Sequence, residues 1–116
     1  MKNIYTWAAK PAKRTLTVGD LKAAKGKRKF TQVTANSFEE ADAAEKAGFD
    51  MIISNAKNVI PVREGSRNLF LTAALVLNEF VTADDIMRGA FKALENGADA
   101  VTVSYTHLTL PTNREV

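Results

Sequence analysis

Cysteine is absent from the 116 residues, which excludes a disulfide framework and thiol chemistry and fits a reducing compartment. No apolar run reaches the roughly 20 residues that a membrane span needs. The opening MKNIYTWAAKPAKR lacks the apolar core of a signal peptide, so the chain reads as cytoplasmic, with no membrane partner. Its basic runs KPAKR (10–14) and KGKRK (25–29) lack the interleaved aromatics of a single-strand binder. They also lack any DNA-reading motif, so no nucleic-acid partner is expected.

What is present suits one globular domain. Hydrophobic residues make up 46% and charged residues 25%, ordinary values for a chain able to bury a core. Charge is uneven. Residues 1–29 hold nine Lys or Arg against one Asp, while the remainder holds seven basic and twelve acidic residues. The basic head reads as a solvated leader over 1–28 that contains one short helix.

Residues 1–16 carry scattered charge and Pro11 and are expected to be irregular. Thr17 can cap a short helix in TVGDLKAAKG, with Gly26 ending it. The β-branched stretch KFTQVTA predicts a strand near 29–35. SFEEADAAEKAG follows with a capping box: Ser37 can bond the third helical amide, and Glu40 can reach back. Ala41, Ala44 and Ala47 give that helix a narrow face, and Gly48 can stop it. FDMIISN is the kind of run a doubly covered parallel strand needs. Ala56 to Arg67 carries a weak signal for one or two helical turns, ending at Gly65. NLFLTAALVL is a third strand candidate. TADDIMRGAFKALENG is the strongest helix, with Thr82 and Asp85 closing a second box and Ile86, Ala90, Phe91 and Leu94 on one face. ADAVTV begins a fourth strand.

Strand and helix therefore alternate. AAEKAGFDMII and KALENGADAVTV repeat one pattern: helix end, glycine, aspartate, apolar strand. Such alternation predicts an α/β fold of parallel βα repeats with right-handed crossovers. The repeat length suits a TIM (β/α)8 barrel, which takes about 250 residues, so four strands predict its N-terminal half over 29–102.

TVGDLKAAKGKRKFTQVTA resembles the opening of the ketopantoate hydroxymethyltransferase (3-methyl-2-oxobutanoate hydroxymethyltransferase) family, of the phosphoenolpyruvate mutase and isocitrate lyase superfamily of barrels. The likeness continues through EADAAEKAGFDMII and VREGSRNLFLTAAL and covers residues 15 to 101. It implies a parent of pantothenate biosynthesis that moves a hydroxymethyl group from methylene-tetrahydrofolate to a small α-keto acid. It also implies a divalent metal such as Mg²⁺ and a homo-oligomeric parent. Where that family carries G-D-S after the second strand, this chain has Ser54, Asn55 and Ala56. Where it carries A-D after the third, this chain has Ala73 and Ala74. Both metal-binding aspartates are replaced, so no metal or cofactor is expected on this chain. The connection 56–67 is also shorter than the family's. Carbon–carbon lyase chemistry in another barrel of the superfamily is one alternative. A non-catalytic binding or scaffold relative is the other.

Barrel chemistry sits at the carboxyl ends of the strands. The polar residues expected there are Asn36, Ser54, Asn55 and Thr72, with Glu79 in the loop that follows. Asn36 and Asn55 can donate to a keto-acid carboxylate. Asn36 equally suits a turn before the Ser37 cap, and Glu79 equally suits a solvated loop. No catalytic residue is assigned.

The last residues, 103–116, are unlike the rest. Val103 to Thr112 back-translates as GTC TCT TAT ACA CAT CTG ACG CTG CCG ACG, which resembles a transposon sequencing adapter read in frame over ten consecutive residues. The tail, with His107, is therefore expected to be non-native, and the truncated chain inactive and marginally folded. The competing reading makes SYTHLTL an alternating strand.

Overall fold

The structure is a computed structural model and describes residues 1–76, 80 and 82–103. The N-terminal segment, expected to be irregular, is a hairpin. β1 (Lys2–Tyr5) pairs antiparallel with β2 (Pro11–Arg14), Lys2 opposite Arg14 and Tyr5 opposite Pro11. Pro11 opens its strand, where a missing N–H is tolerated. The Thr6 amide donates to the Lys10 carbonyl at 2.9 Å, and Ala9 takes a left-handed φ of 64°, which alanine adopts rarely. α1 (Val18–Ala23) follows, held by a capping box between Thr17 and Asp20. Its cap is Ala24, two residues before the expected stop at Gly26.

Four short segments form one parallel sheet: β3 (Gln32–Thr34), β4 (Met51–Asn55), β5 (Phe70–Leu75) and β6 (Ala100–Val103). They lie in chain order β3-β4-β5-β6. Parallel neighbours need crossovers. These are α2 (Phe38–Ala47), a 3₁₀ turn (Ala56–Asn58) leading into α3 (Val59–Gly65), and α4 (Ala83–Glu95). Crossovers of one hand in sequential order put the helices on one face of the sheet. The fold is thus α/β, with a parallel four-stranded sheet and alternating strands and helices, and β3 is shorter than the 29–35 expected.

The core lies between sheet and helices. Ile52 from β4 and Leu71 and Ala73 from β5 meet Ala41 and Ala44 of α2, Val59 and Val62 of α3 and Ala93 of α4. Alanines on α2 let it lie close: an added Cβ at Gly65 of α3 would come within 2.3 Å of the Phe38 carbonyl oxygen. Two helix expectations, one about a cap and one about a buried face, need correction. Glu40 does not close a box on Ser37; its Oε1 accepts from the Asn36 amide at 2.7 Å, while Ser37 Oγ accepts from the Glu40 amide. On α4 the buried residue is Ala93, whereas Phe91 is half exposed and stacks on Trp7 of the hairpin turn, centroids 5.7 Å apart. An aromatic on the apolar stripe therefore grips the hairpin rather than the core.

The repeated glycine–x–aspartate now has a physical role. Asp50 precedes β4, and its Oδ2 accepts from the Thr31 amide at 2.9 Å. Asp99 precedes β6, and its Oδ2 accepts from the Leu71 amide at 3.0 Å. In both repeats the carboxylate takes up an N–H at the start of the neighbouring strand, a donor that would otherwise lack a partner.

Candidate functional site

The two ends of the sheet are built differently. At the amino ends of the strands, Arg14 and Arg63 converge on Asp99. Arg14 Nε lies 2.9 Å from Asp99 Oδ1 and Arg63 Nη2 lies 2.8 Å from Oδ2. Arg14 Nη1 also donates to the Arg67 carbonyl, and Arg63 Nη1 donates to the carbonyls of Ser66 and Leu69. Burial pulls Arg63 below the ordinary guanidinium range to about 10, against the attraction of Asp99, so it remains charged at neutral pH. Glu45 Oε1 accepts from Ser66 Oγ at 2.8 Å. Both guanidiniums are thus tied to Asp99 and to backbone carbonyls of the protein. The network fastens the hairpin and α3 to the sheet, and a cluster at this end of a βα array contributes to stability rather than chemistry.

The carboxyl ends hold asparagines. Asn36 Oδ1 accepts from the Asn55 amide at 2.8 Å and from Asn58 Nδ2 at 3.2 Å. Asn55 Oδ1 accepts from the Lys57 amide at 3.1 Å and caps the 3₁₀ turn. The carboxamides thus tie the end of β3 to the end of β4 and the turn beyond it. Asn36 Oδ1 accepts two bonds and Asn55 Oδ1 one, so Asn36 can offer a ligand its NH₂ donors, and Asn55 its NH₂ donors and one remaining lone pair.

Asn55 pairs in register with Ala74, and Ile53 with Thr72. By strand alternation these residues share the face turned away from the helices. Asn36 and Asn55 lie at the carboxyl end of the sheet, whereas Thr72, opposite Ile53 and Ala100, sits mid-strand, two residues before the Asn55–Ala74 pair and short of the strand end expected for it. Ser54 does not join them. It is buried on the helix side with Ile52, its Oγ donating to the Asn55 carbonyl at 3.3 Å. Glu79 lies outside the described residues, as do His107 and all but the first residue of the tail. Sequence reasoning missed Asn58, which only the fold brings to Asn36, and the Arg14–Asp99–Arg63 cluster, whose one legible trace was the repeated aspartate.

A divalent cation of the kind the resemblance implies would need anionic oxygens at positions 55 and 74. The residues present are a neutral carboxamide whose oxygen is already engaged and a methyl group. This donor set does not fit. Among the described residues no group of three or more His, Cys, Asp or Glu is placed to hold a metal ion. Nor is any described helix long and apolar enough to cross a membrane.

No family model matches the chain. A 3-methyl-2-oxobutanoate hydroxymethyltransferase of Kosmotoga olearia is 33% identical over 99 residues, a stretch that takes in 66% of this chain and 37% of that protein. The chain is similar to that enzyme and spans little more than a third of its length.

Proposed function

We propose that residues 29–102 are the N-terminal half of a (β/α)8 barrel related to the ketopantoate hydroxymethyltransferases, and that the site at the carboxyl ends of its strands has exchanged metal coordination for direct hydrogen bonding to a small keto acid. The observation that carries the reading is the 33% identity to the Kosmotoga enzyme. The sequential parallel order β3-β4-β5-β6, which a singly wound barrel requires, supports the barrel half of it. Asn36, Asn55 and Thr72 supply donors for a keto-acid carboxylate and carbonyl. The remaining catalytic groups, the binding of methylene-tetrahydrofolate and the homo-oligomeric state belong to the longer parent. Residues 103–116 are proposed as foreign to it.

Loss of both carboxylates favours a second reading, a relative that binds the keto acid without transforming it. One experiment separates them. The full-length gene product is incubated with 3-methyl-2-oxobutanoate and methylene-tetrahydrofolate, and keto-acid binding is measured in parallel by calorimetry. Formation of the hydroxymethylated product supports the transferase. Binding without product supports the non-catalytic relative, and neither binding nor product sinks both.

A further inference from the structure

We infer that two copies of this 116-residue chain pair edge to edge, the four parallel strands of each making one half of a closed eight-stranded barrel. The inference deepens the barrel reading above and rests on it. The partner it names is a second copy of the chain.

The sheet has a bare face and two open edges. All-parallel sheets are found with both faces covered, and here the helices cover one. On that side Ile52, Leu71 and Ala73 are buried. The alternating residues Met51, Ile53, Thr72, Ala74, Ala100 and Thr102 are part-exposed on the other. The amino end of that face is closed, where Phe70 is buried beside Ile4 and Leu16. Among the described residues β3 pairs with β4 alone and β6 with β5 alone. Ala35 donates its amide to the Ile53 carbonyl at 3.0 Å. Alternation along the ladder therefore turns the amides of Gln32 and Thr34 to the free edge of β3. Asp99 donates to the Leu71 carbonyl at 2.8 Å, which turns the amides of Ala100 and Thr102 to the free edge of β6.

A second copy satisfies the face and both edges together. Rotation by half a turn about the barrel axis keeps every strand parallel and sets β6 of each copy against β3 of the other, so the two seams are alike and the ring closes. Eight parallel strands is the number at which such a barrel closes around a filled interior. Thirteen residues follow Val103 in this chain, fewer than a further crossover and its strand take, since a parallel crossover alone needs about a dozen. Closure also places a second Asn36 and Asn55 at the same mouth as the first, so the partner copy completes the ring of strand ends at the candidate site.

The test uses the 116-residue chain as it stands. Sedimentation equilibrium should return twice the mass of the chain. Ile53→Lys puts a charge on the face to be buried, and Thr102→Pro removes an edge amide that β5 does not use. Each should weaken dimerisation at least about tenfold with far-UV dichroism unchanged. Hydrogen exchange followed by NMR should show the amides of Gln32, Thr34, Ala100 and Thr102 slowed at least about tenfold in the unsubstituted chain relative to Ile53→Lys. Met87→Asp, at an exposed position of α4, should leave the dimer intact. A monomer, an open-ended aggregate, rapid exchange at the four edge amides in the dimer, or a dimer that Met87→Asp breaks while the other two variants do not, would overturn the inference. A monomer would leave the barrel reading standing, because the longer parent carries its own closing strands; that reading is judged by product formation and keto-acid binding in the full-length protein.

Discussion

Replacing Asp99 by alanine should be among the most damaging single changes in this chain, and the repeat supplies its own control. Asp99 serves two guanidiniums and the Leu71 amide. The side chains of Arg14 and Arg63 are 3% and 13% exposed. Arg63 titrates at about 10, so at pH 7 the Asp99→Ala variant holds two buried positive charges with no anion between them. Breaking a buried ion pair by removing one partner costs about 3–5 kcal/mol, a large part of a domain stability of about 5–15 kcal/mol. Asp50 occupies the same place in the other repeat and also takes a strand-start amide. Its cation, Arg28, is 58% exposed, so that pair is worth at most about 1 kcal/mol, and Asp50→Ala should cost about 1–3 kcal/mol including its hydrogen bonds to Thr31. Asp99→Asn, which keeps an acceptor, should fall between. Urea unfolding followed by circular dichroism measures all three. Equal losses for Asp99→Ala and Asp50→Ala, or a loss under about 1 kcal/mol for the former, would refute the claim that the cluster fastens hairpin, α3 and sheet together.

Gly65→Ala should destabilise by about 1–3 kcal/mol in a thermal melt, because the new methyl meets the Phe38 carbonyl at 2.3 Å and the Ala41 methyl at 3.0 Å; an unchanged melting point would show that α2 and α3 separate freely. Asn36→Ala removes the acceptor for the Asn55 amide and Asn58 and should cost about 1–2 kcal/mol while weakening keto-acid binding, whereas loss of binding with stability intact would mark Asn36 as a ligand contact alone. Lys2 first, and then the Thr17 amide, hold Asp20 below its ordinary 3.8. With the folded value depressed, this contact contributes above pH 3.8 and is lost as pH falls through the lower folded value. A carboxyl NMR titration placing Asp20 at or above 3.8 would contradict it.

Much of this architecture was legible because it is local. Ser37 and Thr82 announce their helices through short-range hydrogen bonds, and Gly48, with a φ of 87°, ends α2 as expected. β4 and β5 are apolar enough to be read from composition. The hairpin was not, because KNIY and PAKR are polar and short, and the turn between them places alanine rather than glycine at its left-handed position. Arg14 looked like part of a solvated basic run, yet it is 2% exposed, and its partner Asp99 lies 85 residues away. No local pattern encodes that pairing. At the candidate site, sequence located Asn36 and Asn55 at strand ends. That their oxygens accept from the backbone and from Asn58 depends on how β3 and β4 align. Ser54 was read at the same place, but strand alternation turns it to the helix side.

The central proposal is that positions 55 and 74 correspond to the two metal-binding aspartates that the family resemblance implies, replaced here by residues that offer no anionic oxygen. Asn55 and Ala74 face each other in register across β4 and β5, so the variant carrying both Asn55→Asp and Ala74→Asp restores two adjacent carboxylates. Calorimetric titration with Mn²⁺ should show no tight binding to the unsubstituted chain and a new site in the double variant, absent from either single one. Tight binding by the unsubstituted chain that disappears in Asn55→Ala, or no gain in the double variant, would contradict the account.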